Sequence, residues 1–197
     1  ATLQNGINGV QDVNGLSVGP QIEQLLKETQ PRLISFTIGA NDAGWVDVIG
    51  TCYVGNCNTP EEKYKVGQNL QQMALNLSNT LNQIGAYYMD TPPTVVVTGY
   101  HQVFPKEVTG TCRDLTGIDA DEISWGRQMQ EDINARIKTV VGEYDFAEYV
   151  PVDFGGHELC TNDPWVQGLS DRQPYHPTEP GQDVFAKEII KRLESIK

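Results

Sequence analysis

The hydrophobic pattern of this chain has two periods, one typical of buried strands and one typical of amphipathic helices. Nearly continuous apolar runs predict three strands, at residues 33–38, 94–98 and 147–153. Runs without alternation are typical of parallel strands that are covered on both faces. Apolar residues at three- and four-residue steps predict four helices. These helices cover residues 19–30, 60–88, 121–142 and 180–197.

The elements alternate between helix and strand, which predicts an α/β fold with helices on both faces of a parallel sheet. A doubly wound sheet of three strands is unusually narrow, and the chain opens on a loop where such folds normally open on a strand. We therefore expect a single domain over residues 1–197 that is incomplete at its N-terminus and lacks its first strand. The predicted loops are residues 1–19, 45–60, 100–120 and 154–179.

Composition and charge narrow the classes of partner. The 197 residues contain 14 Lys and Arg against 26 Asp and Glu, so the formal net charge is −12. Proteins that bind nucleic acid or an anionic membrane surface need a basic track, so neither partner is expected. No apolar run approaches the roughly 20 residues of a membrane span. The chain also opens directly on a polar stretch rather than on a signal peptide.

The four cysteines indicate an oxidising compartment. Cys52 and Cys57 flank a short turn, a spacing that can close a small disulfide loop. Cys112 and Cys160 both lie in loop segments rich in glycine and threonine. An even number of cysteines in loops favours two disulfides and a secreted, extracellular protein. A zinc site would need paired short spacings of Cys or His, and the sequence has one such pair.

Two candidate functional residues lie at the ends of predicted elements. Asn41 follows the first strand, in Gly39-Ala40-Asn41-Asp42, and His176 lies just before the last helix. Ligands bind at the carboxyl ends of the strands in open parallel sheets. An asparagine amide there can donate to an oxyanion, and a histidine can act as a general base. His101 and His157 also lie in loops, and the three histidines lack metal-ligand spacing, so no metal site is predicted.

A formal nucleophile motif occurs near the N-terminus. Gly15-Leu16-Ser17-Val18-Gly19 matches the Gly-x-Ser-x-Gly elbow of α/β-hydrolases. The elbow needs a buried strand before the serine, whereas residues 5–14 are a polar segment. We therefore interpret Ser17 as part of the N-cap region of the first helix. A different hydrolase with Ser17 as its nucleophile remains an alternative.

Several segments together resemble the SGNH, or GDSL-type, hydrolases of the secreted actinomycete esterase and lipase type. Gly39-Ala40-Asn41-Asp42 resembles the third conserved block of that family, and His176-Pro177 resembles the fifth. Residues 156–160 are similar to the loop before the family's histidine, and Ala1-Thr2 is similar to the segment after the second block. The resemblance covers residues 1–197 with the order of the blocks preserved.

The resemblance implies a flavodoxin-like three-layer α/β/α sandwich and the hydrolysis of carboxylic esters without a cofactor or metal. Asn41 would supply the amide of the oxyanion hole, and His176 would be the general base. Gly39 would contribute to the oxyanion-hole turn, and Asp42 would support it. Of the four catalytic residues for which the family is named, only Asn41 and His176 can be matched in this sequence.

One departure concerns the group that orients the histidine. The family has an aspartate three residues before its histidine, and this sequence has Gln173 at that position. Asp171 lies two residues further back, which does not match the family's spacing. We therefore expect a backbone carbonyl to orient the ring of His176 in place of a carboxylate, with Gln173 in a supporting position.

The larger departure concerns the nucleophile. The family's serine lies in a Gly-Asp-Ser block that precedes the matched segments, and residues 1–197 contain no such block. We expect a serine esterase or lipase whose nucleophile lies outside this chain, where the serine segment is on another chain such as an N-terminal fragment of the same protein, was cut away, or was not included. Its substrate would be an acyl ester or an acetylated glycan. The alternative is a catalytically inactive relative that binds such a ligand without cleaving it.

Loop aromatics are the remaining candidates for substrate contacts. An acyl or sugar site could be lined by aromatic rings, but large aromatic side chains also anchor loops to a core. We favour the anchoring interpretation. The residues concerned are Trp45, Tyr53, Tyr100, Phe104 and Trp165.

Overall fold

The computed structural model describes residues 2–13, 15–28, 30–108 and 110–196, without the side chains of Val13 and Glu28. Ala1, which contributes to the family resemblance, lies outside the described residues. The elements in chain order are β1 (Gln11–Val13), β2 (Leu16–Val18), α1 (Gln21–Glu28), β3 (Leu33–Phe36), α2 (Trp45–Val54), α3 (Pro60–Tyr88), β4 (Thr94–Thr98), α4 (Ala120–Val141), β5 (Ala147–Val150) and α5 (Glu179–Ser195).

A parallel sheet lies at the centre of the predicted α/β/α sandwich. Its described strands have the order β3-β4-β5, with Leu33 opposite Thr94 and Val95 opposite Ala147. The central strand β4 is buried, as its apolar run predicts. The expectation that the strand at 33–38 is covered on both faces was wrong, because Leu33 is 40% exposed. Among the described strands, β3 pairs with β4 on one side and has no partner on the other.

Capping residues fix where the two long helices begin. The Thr59 hydroxyl accepts a hydrogen bond from the amide of Glu62, which starts α3. Asp119 and Glu122 form a reciprocal capping box at the start of α4. These helices pack against each other, and α5 packs against β4 and β5. Their apolar stripes supply much of the core, including Met73, Leu77, Leu81, Ile84, Met129, Ile133 and Ile137.

Two of the predicted loops contain regular structure. Residues 45–54 form α2, which buries Trp45, Val48, Ile49 and Cys52 on one face. These positions follow helical spacing, but the stripe is short and ends among glycines, so the sequence signal was weak. The N-terminal segment contains the antiparallel hairpin of β1 and β2. Two predicted strands are shorter than expected, since β3 ends at Phe36 and β5 at Val150.

The expectation of two disulfides is confirmed. Cys52 is bonded to Cys57, and Cys112 is bonded to Cys160. The first bridge closes the end of α2, and the second joins two loops that are 48 residues apart. The described helices include none that is both long and apolar enough to cross a membrane.

Candidate active site

The segments after β3 and β4 meet the histidine loop (Pro174–Pro177) around one pocket. Asn41 and His176 both line this pocket, which has a volume of about 450 Å³. Both residues were candidates from the sequence, and their segments lie more than a hundred positions apart along the chain. Most of the remaining lining is apolar and includes Ile38, Trp45, Val46, Val103, Ile133 and Phe185.

The turn that carries Asn41 depends on a glycine. Gly39 has a φ of 126°, a backbone conformation that side-chain-bearing residues rarely adopt. A Cβ at this position would also lie 2.9 Å from the sulfur of Met73. The amide of Ala43 donates to the carbonyl of Gly39 at 2.9 Å, and the amide of Trp45 donates to that of Ala40 at 3.0 Å. The turn therefore leads directly into α2 with Asn41 at the pocket.

Asp42 is not among the residues that line the pocket, and it anchors this turn. Its carboxylate accepts hydrogen bonds from the backbone amide of Leu3, at 2.8 and 3.1 Å, and from the side chain of Asn76, at 3.2 Å. Leu3 is fully buried. Asp42 therefore joins the turn to the N-terminal segment and to α3, which is a structural role rather than direct chemistry.

Tyr100 holds the same turn from the other strand, and the sequence analysis did not identify this role. Its hydroxyl accepts a hydrogen bond from the backbone amide of Ala40 at 3.1 Å. The side chain of Asn134 in α4 fixes Tyr100 by bonding both its amide, at 2.7 Å, and its carbonyl, at 2.8 Å. Burial raises the pKa of the Tyr100 phenol, so the hydroxyl stays neutral. A tyrosine directly after a strand was the only signal in the sequence.

A backbone carbonyl contacts the ring of His176. Nδ1 of His176 lies 3.1 Å from the carbonyl oxygen of Pro174. The carboxylate of Asp171 instead accepts from the amide of Gly168 at 2.8 Å. The amide of Gln173 donates to the side chain of Gln167, and its carbonyl accepts from the amide of His176. A proton on Nδ1 satisfies the Pro174 carbonyl and leaves the lone pair of Nε2 free to act as a base.

A second histidine is buried beneath this loop. His101 is 3% exposed and stacks on Phe154, with ring centroids 4.2 Å apart. Its ring nitrogens lack a hydrogen-bond partner of good geometry among the described residues. Burial lowers the pKa of His101 to about 4, while the nearby backbone of Tyr175 acts in the opposite direction. The ring is therefore neutral at ordinary pH.

Replacing His101 with phenylalanine is expected to make folding stability less sensitive to acid. The pKa of the His101 ring is about 4 in the folded chain against an ordinary 6.5. Between these values the unfolded chain binds a proton that the folded chain does not, so stability falls as pH falls. The resulting loss is about 2 kcal/mol at pH 5 relative to pH 8.

Urea unfolding of both proteins at pH 8 and pH 5 measures this difference. A phenylalanine at position 101 keeps an aromatic ring against Phe154 but cannot bind a proton. The variant therefore separates the effect of protonation on stability from the effect of packing. The His101→Phe protein should lose about 2 kcal/mol less than the unsubstituted protein between the two pH values. Equal losses would show that His101 does not stay neutral in the folded chain.

The structure does not support Ser17 as a nucleophile. Ser17 lies in β2, an exposed strand of an antiparallel hairpin, whereas the elbow requires a turn from a buried strand into a helix. It is not among the residues that line the pocket, and those described lining residues include no serine. The described pocket lining therefore includes the candidates His176 and Asn41 but no serine.

The five candidate aromatics divide between the pocket and the core. Trp45 and Tyr100 line the pocket. Phe104 is buried against Trp45, with ring centroids 5.8 Å apart. Trp165 stacks on His157 at 3.5 Å, and Tyr53 hydrogen-bonds through its hydroxyl to the histidine loop. Anchoring therefore accounts for three of these residues.

Sequence comparison finds a matching family model and two curated relatives of this chain. The family model described as "GDSL-like Lipase/Acylhydrolase family" matches residues 2–184. A "Lipase" from Streptomyces rimosus is 32% identical over 156 residues, which are 76% of this chain and 56% of that lipase. "Lipase 1" from Streptomyces coelicolor is 28% identical over 155 residues, with the same coverage of both chains. This chain thus spans about half the length of the curated relatives it matches.

Two solved structures of Streptomyces proteins are similar to this chain. An extracellular lipase from Streptomyces rimosus has a TM-score of 0.56 and 28% identity, covering 81% of this chain and 68% of that one. A phospholipase A1 from Streptomyces albidoflavus has a TM-score of 0.62 at 23% identity, covering 86% and 73%, and shows the fold alone. Because the family model matches residues 2–184 and a lipase relative is 32% identical, this chain belongs to the GDSL-like lipase/acylhydrolase family.

Proposed function

We propose that this chain supplies the general base and an oxyanion donor of a serine hydrolase that cleaves carboxylic esters. The observation that carries the proposal is that Asn41 and His176 line one pocket, with the ring of His176 held by the Pro174 carbonyl. A base with a fixed ring and an amide donor beside it are two of the elements that acyl transfer requires.

The proposed reaction proceeds through an acyl-enzyme. Nε2 of His176 takes the proton of a serine hydroxyl while its oxygen attacks the ester carbonyl, and the side-chain NH₂ of Asn41 stabilises the oxyanion. The imidazolium then protonates the departing alkoxide, which leaves an acyl-serine. In the second half, His176 removes a proton from water as the water attacks the acyl-serine. The proton returns to the serine oxygen when the acid is released.

The Pro174 carbonyl takes the orienting role that an aspartate has in other hydrolases of this type. It fixes the tautomer of His176, because it accepts only when Nδ1 carries the proton. A neutral carbonyl stabilises the imidazolium less than a carboxylate does. In this arrangement the ring of His176 keeps its orientation, while the positive charge of its imidazolium is stabilised less than it would be by a carboxylate.

We infer that the serine comes from polypeptide outside these 197 residues. The described pocket lining contains no serine, and the described chain leaves one side of β3 without a partner strand. A parallel strand added beside β3 would end next to the turn that carries Asn41, at the ligand-binding edge of the sheet. A strand there would also cover an edge that proteins normally protect. An N-terminal fragment of the same protein is the source we favour.

The pocket favours an acyl ester over an acetylated glycan. Its apolar lining, which includes Trp45, Val46, Ile133 and Phe185, suits a hydrocarbon chain. Its volume of about 450 Å³ is far larger than an acetyl group needs. The two curated Streptomyces relatives are named as lipases, which agrees with this choice. The two disulfides and the extracellular lipase relative support a secreted protein.

Labelling with a fluorophosphonate tests the proposal. The protein as isolated from its source is treated with the probe, digested and analysed by peptide mass mapping, beside an assay with a p-nitrophenyl ester. We expect ester hydrolysis and a label on a peptide other than those of residues 1–197. A label on a peptide within residues 1–197 would show that the nucleophile is in this segment. Absence of both label and hydrolysis would favour the alternative of a protein that binds esters without cleaving them.

A further inference from the structure

The residue before His176 has an unusual backbone conformation. Tyr175 has a φ of 67°, in the left-handed region that residues with a Cβ seldom occupy. Such conformations persist where surrounding contacts hold them, and they are frequent at active sites. The backbone of Tyr175 determines the direction in which the side chain of His176 leaves the loop.

The hydroxyl of Tyr175 is held by a second tyrosine. It donates to the hydroxyl of Tyr53 at 2.7 Å, and Tyr53 in turn donates to the backbone carbonyl of Asp114. Tyr53 is next to the Cys52–Cys57 disulfide, and Asp114 lies two residues after Cys112 of the other. These two consecutive hydrogen bonds thus connect Tyr175 to two segments that are restrained by disulfides. Burial raises the pKa of both phenols, so both keep the protons that these hydrogen bonds use.

The backbone around Tyr175 is held from the opposite side. Its amide donates to the carbonyl of Gln167 at 2.9 Å, and the amide of Gln167 donates to the carbonyl of His176 at 2.8 Å. The side chain of Gln167 continues the contact, because it donates to the carbonyl of Pro177 at 3.1 Å. His101 lies beneath the same backbone. The loop is therefore fixed on its main chain by Gln167 and at its side chain by Tyr53.

We propose that Tyr175 is a positioning residue for His176, and that the hydroxyl of Tyr53 holds Tyr175 in the left-handed conformation that directs the imidazole into the pocket. Tyr53 is in α2, the helix that begins directly after the Asn41 turn. The pair therefore sets the base relative to the oxyanion donor. This inference rests on the proposed function, because it takes His176 as the base.

The alternative is that the tyrosine pair contributes to stability alone. In that case removing a hydroxyl would lower the melting temperature and leave the environment of His176 unchanged. A positioning role instead predicts a change at the His176 ring and a fall in kcat with little change in KM. Misplacing a catalytic group by about 1 Å costs up to roughly 100-fold in rate, so a loss of roughly 10-fold is expected for either hydroxyl.

The experiment uses Tyr175→Phe, Tyr53→Phe and the double variant. Tyr144→Phe is the matched control, since it removes a half-buried tyrosine hydroxyl that bonds Ser78 at 2.7 Å and does not line the pocket. The first readout is the ¹⁵N spectrum of the histidine rings of this chain, which needs no hydrolysis. The second readout is kcat and KM for a p-nitrophenyl ester, measured on the complete protein that contains both this chain and the proposed serine.

We expect both single variants to move the Nδ1 resonance of His176 and to lower kcat by roughly 10-fold. The double variant should lose no more than Tyr53→Phe alone, because both remove the Tyr175–Tyr53 hydrogen bond and the bond from Tyr53 to the Asp114 carbonyl. Tyr144→Phe should change neither readout. An unchanged His176 resonance, or losses that multiply in the double variant, would overturn the inference.

The two readouts separate this inference from the proposed function. If the ring resonance moves but no protein hydrolyses the ester, the positioning stands and the proposed esterase activity fails. If hydrolysis is present and neither hydroxyl affects the ring or kcat, the activity stands and the positioning fails.

Discussion

Replacing His176 with alanine is expected to lower kcat/KM for a p-nitrophenyl ester by roughly 10⁴-fold in the ester-hydrolysing protein. The variant lacks the imidazole that is proposed to take the serine proton at this position of the pocket. The ring of His176 is exposed and its Nδ1 contacts only a local carbonyl, so the loss should be chemical and not a failure to fold. Steady-state kinetics measure the loss of rate, and a thermal melt on the same sample measures whether the variant is folded.

His157→Ala is the matched control for this prediction. His157 lies in a loop and stacks on Trp165, and it does not line the pocket. The control should keep its rate within a small factor of the unsubstituted protein. Retained hydrolysis in His176→Ala would remove the assignment of the base, and an equal loss in the His157 variant would indicate a general effect on the histidine-bearing loops.

Replacing Asn41 with alanine is expected to lower kcat by roughly 10²–10³-fold, equivalent to about 3–4 kcal/mol of transition-state stabilisation. In the proposed mechanism the amide donates where negative charge develops, so KM should change little. Asn41→Asp should lose at least as much, because it replaces the donor with an acceptor of nearly the same shape. Kinetic constants for both variants test the assignment.

Asn69→Ala separates the amide donor from the shape of its turn. Asn69 donates to the carbonyl of Ala43 at 3.3 Å, so its removal weakens the same turn without removing the donor at the pocket. Its effect on kcat should be much smaller than that of Asn41→Ala. If the two variants lose equally, the turn's conformation and not the Asn41 amide is responsible. If Asn41→Ala raises KM alone, the amide binds substrate without stabilising the transition state.

Much of the architecture could be predicted because its signals are local and periodic. The run at Thr94–Thr98 predicted a buried central strand, and helical periodicity predicted the two long helices to within a residue or two. The disulfides also followed from four cysteines, one close pair and two in loops. The strand predicted at residues 33–38 is present, but the expectation that both of its faces are buried was wrong. An apolar run does not reveal how many neighbouring strands lie beside it in the described sheet.

The sequence by itself determined the fold class, the family blocks and the two candidate residues Asn41 and His176, because each is written in a short segment. Tertiary structure alone decided how these residues are held. The Tyr100 hydroxyl meets the amide of Ala40 from another strand, and Tyr175 meets Tyr53 across 122 positions. Such contacts depend on loop backbones without periodicity, including a left-handed residue. No local pattern specifies them, since their energies arise only after distant segments have packed together.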